Sequence, residues 1–164
     1  MKNLLLAALV SATLWGVVLV NPVHAGTANT ELGLLFERYI EAWNKGDLMT
    51  IGNQVYQPPI YIFEAEQTAS FATAEDIVGL LQPLRRELDK AGFSHSELRG
   101  VSVCELGGGL AFASFRYSRY DKQGNHMGEP VLASAYIARR TALGWRLVAH
   151  VMQAQVSLLS CDVL

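Results

Sequence analysis

The side chains able to do acid–base, metal or redox chemistry are few and widely spaced. Beyond His24, the histidines His95, His126 and His150 show no paired spacing, and there is no Cys-x-x-Cys. Zinc ligands recur at short separations, so no structural zinc is expected. Gly107-Gly108-Gly109 separates two strand-like runs and does not join a strand to a helix, so it is no phosphate cradle. No nucleophile–base–acid arrangement stands out, and no cofactor is expected. Cys104 and Cys161 are read two ways: as one bridge tying the C-terminal tail to a strand, or as two independent thiols with Cys104 packed as a small hydrophobe. A bridge would add about 4 kcal/mol in the chain-entropy model, and thiol titration of denatured, unreduced protein decides between the two readings.

Among the remaining polar side chains, Glu64 ends a short β-type run with no cation near it in sequence. Buried there, its carboxyl would lose hydration and its pKa would rise, as general acid–base work near neutral pH requires; in solvent it is an ordinary strand-end acid. Tyr39 and Trp43 lie one turn apart on an apolar helical stripe, so both point the same way. Tyr136 lies between Ala135 and Ile137, and His150 late in a final apolar run. His95, between Ser94 and Ser96, reads as surface.

The elements that must position these residues follow from pattern. Thr30 is placed as an N-cap, and Leu32, Leu35, Phe36, Tyr39, Ile40 and Trp43 recur at helical spacing. Gly46 ends this helix and Asp47 caps a second, shorter one through about Tyr56, stopped by Pro58-Pro59. Ile60 to Glu64 is a short strand, followed by a polar loop to Ala72. Thr73 and Asp76 resemble a capping box opening a helix with Ile77, Leu80, Leu81, Leu84 and Leu88 on one face and a kink expected at Pro83. His95 to Leu106 is a long strand, and Gly109 to Gln155 supplies three more, separated by the turns Asp121 to Asn125 and Thr141 to Gly144. Segregated helices and antiparallel strands make an α+β domain, with about three helices on one face of a curved antiparallel sheet.

Charge narrows the partners. The chain has 13 Lys and Arg against 15 Asp and Glu, without a basic block, so nucleic acid has no electrostatic footprint here. Lys2, the apolar run Leu4 to Val20, the Pro22 break and Ala25 have the layout of a secretory signal peptide, with cleavage expected after Ala25. An uncleaved anchor is the alternative, because the run is close to the roughly 18 residues that span a membrane. Residues 1–25 are thus a leader and 26–164 one domain, with a short tail from about residue 156, placed in the periplasm or medium with no membrane contact once the leader is removed.

Tyr39-Ile-Glu-Ala-Trp-Asn-Lys-Gly46-Asp47-Leu48, Gly109 to Tyr117, Asp121-Lys-Gln-Gly and Gly144-Trp-Arg-Leu-Val-Ala-His150 together resemble the NTF2-like superfamily, in its SnoaL-like and DUF4440-like branches and the related ketosteroid isomerases. The resemblance covers about Leu32 to Gln155. It implies a cone-shaped α+β barrel enclosing an apolar pocket, and a homodimer through the outer face of the sheet. In the isomerases a carboxylate moves a proton while a Tyr and a protonated Asp hold the oxyanion. Carried over, Tyr39 takes the Tyr position, Glu64 the base's position (slightly out of register), and Tyr136 stands where the second acid would be.

Two functions follow. One is a binding module for a small apolar molecule, lined by Tyr39, Trp43, Tyr61, Tyr136 and His150. The other is an isomerase- or cyclase-like enzyme with Glu64 as base and Tyr39 and Tyr136 as oxyanion donors. Binding is favoured, because the acid pair of the isomerases is incomplete here.

Overall fold

The computed structural model describes residues 27–152. The expected leader, the tail from about residue 156 and Cys161 lie outside the described residues.

Helix α1 spans Ala28–Lys45 and is capped by Thr27, whose hydroxyl accepts from the Thr30 amide, so the cap lies three residues before the Thr30 expected from sequence. Ala28 is buried with Leu32, Leu35 and Phe36, which extends the apolar stripe backward and takes Thr30 into the first turn. Gly46 closes α1 in the left-handed region at φ 70°, where a side chain would be strained. Asp47 then caps α2 (Leu48–Thr50) through the Thr50 amide and hydroxyl. The expected second helix is cut short: a wide π-type turn occupies Ile51–Val55, and the chain is extended from Tyr56. Gly52 sets this geometry, since a Cβ there would come within 2.9 Å of the Ala74 carbonyl oxygen.

Strand β1 spans Tyr56–Phe63, beginning before the prolines and not after them. Its pairing with the last strand breaks register between Tyr56 and Tyr61, which spares Pro58 and Pro59 the ladder bonds they cannot donate. Strand β2 (Thr68–Phe71) stands in what reads as a polar loop; it is a short, exposed edge strand paired only with β1.

Helix α3 spans Ala74–Lys90, with the Thr73–Asp76 capping box complete and the helix continuous through Pro83. Thr73→Ala should therefore lower the stability of the domain by about 1 kcal/mol, measurable as a shifted urea midpoint with an unchanged slope.

Strands β3 (Phe93–Gly107), β4 (Leu110–Asp121), β5 (Leu132–Thr141) and β6 (Gly144–Val151) form a meander. The β4–β5 connection is longer than a five-residue turn. Asp121 closes the tight turn with Asn125, and the chain then runs on through His126, bridged to Tyr120, before β5 begins. The sheet order is β2-β1-β6-β5-β4-β3, and β1 lies parallel to β6. The sheet is therefore mixed and not wholly antiparallel; it curves without closing, with helices over its concave side. Alternation along β4 turns Ala111, Ala113 and Phe115 into the core against Leu32, Phe36 and Trp43 of α1.

Candidate functional site

Two side-chain contacts dock the helices over the concave face. Asn44 clamps the Ser96 backbone, donating to its carbonyl at 2.9 Å and accepting from its amide at 2.7 Å. Arg85 of α3 donates to the Trp43 carbonyl at the end of α1 and lies 4.7 Å from the Phe93 ring centroid. A cation there also complements the negative end of the helix dipole. The space left between α1, α3 and the sheet is a cavity of about 610 Å³.

The cavity brings together Tyr39, Trp43, Glu64, Tyr136 and His150. Tyr39 comes from the fourth turn of α1, Tyr136 from mid-β5 and His150 from the position of β6 paired with Tyr136. The His150 and Tyr136 rings stack at 4.7 Å and 17°. Tyr56, at the start of β1, completes a group of phenols: its hydroxyl lies 3.5 Å from that of Tyr39, and its ring centroid 6.3 Å from that of Tyr136. Phe115 stacks on Tyr136 at 5.9 Å and 10°.

Burial governs the protonation of this group. It pushes the Tyr39 phenol up, partly opposed by the hydrogen bond to Tyr56, and pushes Tyr56 and Tyr136 well above the ordinary phenol value. Burial also lowers the His150 pKa. The group is thus neutral at neutral pH, a set of hydroxyls and an imidazole able to donate or accept hydrogen bonds without charge.

Glu64 stands apart. It reaches the cavity at its rim, where its side chain is exposed and accepts a 2.6 Å hydrogen bond from Gln67. It is not the dry carboxylate that the proton-transfer reading requires. Tyr61 departs from the expected lining. Pairing of Tyr61 with Ala149, and of Ile62 with His150, puts Ile62 inside and Tyr61 on the convex face, 45% exposed and stacked on Phe63.

Sequence reasoning missed Tyr56, Ser96, Phe115 and Arg119 as lining residues. Parity could have found two of them. With Ala113 inward on β4, Phe115 and Arg119 fall on the same face. Tyr56 was hidden by its reading as a helix end. Arg119 lies over the Tyr117 ring at 5.3 Å and donates to the Tyr117 hydroxyl at 3.3 Å. Among the described residues there is no group of His, Cys, Asp and Glu that could hold a metal ion.

Known proteins share this arrangement of helices and sheet. An NTF2-like protein with a cystatin-like fold from Novosphingobium aromaticivorans is 22% identical over 74% of this chain and 78% of its own, at TM-score 0.59. Aln2 from a Streptomyces species is 14% identical over 74% of this chain and 86% of its own, also at 0.59. A domain of unknown function with a cystatin-like fold from Nostoc punctiforme is 14% identical over 81% of each chain, at 0.58. At these identities the likeness is one of fold. No curated protein matches. The family model for NTF2-like protein (DUF6841) matches residues 30–155. The chain therefore belongs to the NTF2-like family.

Proposed function

We propose that this NTF2-like chain is an exported binding protein that holds a small, largely apolar molecule in the cavity under α1 and α3, and that two copies associate through the convex face of the sheet. The observation that carries the binding reading is the cavity itself. It has about 610 Å³ of space, within the range of small-molecule sites, and a mainly aromatic and aliphatic lining. The exposure of Glu64 favours binding over proton transfer, because a base in solvent lacks the sheltered setting that tunes a catalytic carboxylate. The exposed, stacked Tyr61 and Phe63 support a contact on the convex side.

Titrating a neutral aromatic alcohol, 2-(1-naphthyl)ethanol, into purified protein by calorimetry tests the binding reading. Saturable one-site binding is expected. Ser134→Phe places a ring in the cavity from β5 and should weaken binding by about tenfold or more, since an overfilled site cannot repack freely. Absence of saturable binding, or equal binding by the filled variant, would remove the cavity as the site.

A further inference from the structure

Five buried side-chain polar atoms among the described residues have no hydrogen-bond partner: Trp43 Nε1, Ser96 Oγ, Ser114 Oγ, Arg119 Nε and Trp145 Nε1. Trp43, Ser96 and Arg119 line the same cavity. Ser96 and Arg119 are directly paired across β3 and β4, and Asn44, the residue after Trp43, clamps the Ser96 backbone. Buried polar groups are nearly always satisfied, so three unsatisfied groups on residues that line one cavity point to a molecule that satisfies them.

Their chemistry narrows that molecule. Indole N–H and guanidinium N–H are donors only, and a serine hydroxyl can donate. Arg119 forms no ion pair with a carboxylate among the described residues; its side-chain partner is the Tyr117 phenol. A cation set beside an apolar cavity calls for an anion, and a planar carboxylate matches the guanidinium with two parallel bonds. Glu64 and Glu87, the acids lining the cavity, are exposed and hold Gln67 and Lys90 respectively, so neither supplies that anion.

Building on the binding reading above, we infer that the ligand is an amphipathic monocarboxylate. Its carboxylate is received by Arg119, Ser96 and Trp43, and its apolar body lies along Leu81, Phe115 and Tyr136.

The test compares 1-naphthylacetate with 2-(1-naphthyl)ethanol, alike in size but differing in the charged group, by calorimetry at about pH 7.5, where the carboxylate is ionised. The acid should bind at least about tenfold more tightly than the alcohol, as a charge-assisted bidentate pair warrants. Arg119→Gln should weaken the acid by about tenfold, to near the alcohol's affinity in the unsubstituted protein, and weaken the alcohol by much less. Ser96→Ala and Trp43→Phe should each cause a smaller loss that falls more heavily on the acid than on the alcohol, and they serve as the test should Arg119→Gln fail to fold. Equal affinities in the unsubstituted protein would overturn the inference and leave the binding reading standing. So would equal losses for acid and alcohol in well-folded variants. Failure of both compounds to bind would overturn both readings.

Discussion

Phe36→Ala is expected to destabilise the domain by about 3–5 kcal/mol, the range for removing a fully buried aromatic ring. Phe36 is 0% exposed and joins α1 to the sheet at two points, with ring centroids 4.7 Å from Phe115 and 5.9 Å from Tyr136. Leu32, Leu35 and Trp43, buried on the same stripe, hold the helix in place and would limit its collapse into the vacated space. A domain of this size has a total stability of roughly 5–15 kcal/mol, so the variant should be marginal. Urea unfolding followed by far-ultraviolet circular dichroism measures the effect. A loss under about 1 kcal/mol would mean that α1 does not depend on this ring, contrary to its packing.

The domain should also unfold cooperatively in alkali, driven by the buried phenols. Burial raises the pKa of Tyr39, Tyr56 and Tyr136 above the ordinary value of 10.0. Above that pH the unfolded chain releases protons that the folded chain retains, so the folded state binds more protons and stability falls as pH rises. The contribution is fully present below about pH 10 and is lost from there up through the folded pKa values. With all three phenols protonated only in the folded state, the slope approaches about 4 kcal/mol per pH unit. Absorbance at 295 nm should show these phenols silent until the dichroism collapses, and then ionising together with it. Tyr56→Phe should flatten the slope by about a third, since one of the three coupled protons is gone. Ionisation of every tyrosine near pH 10 with dichroism retained would show that the group is wet.

Features held within one or two turns of chain were legible in sequence. The Gly46–Asp47 boundary and the Thr73–Asp76 box depend on conformations and hydrogen bonds formed with nearest neighbours, and both stand where the residue types place them. The inward face of α1 followed from its period, because a single stripe decides which side a helix buries. Where local signals compete, the reading failed. Ile51 to Val55 has helical apolar spacing, yet the approach of Gly52 to Ala74 turns the chain into a strand. Thr68 to Phe71 has no alternation to read, and it becomes a strand only because β1 offers it an edge.

By itself the sequence determined the α+β class, the Gly46–Asp47 boundary, the Thr73–Asp76 box, the four long strands and the apolar stripe that faces the sheet, because spacing and local bonding are properties of the chain. Tertiary structure decided which strand residues look inward. Tyr61 or Ile62 could each have faced the cavity, and the choice was made by a parallel register with β6, nearly ninety residues away. A shift of one residue exchanges the two faces of a strand, and two prolines blur the alternation just where β1 needs it. The same holds for the polar end of the cavity. Trp43, Ser96 and Arg119 belong to three elements with no shared sequence pattern, and only the docking of α1 on β3 and the pairing of β3 with β4 bring them to one place. Glu64 was left at the rim for the same reason, since a strand end is buried or solvated by what packs beside it and not by its own residues.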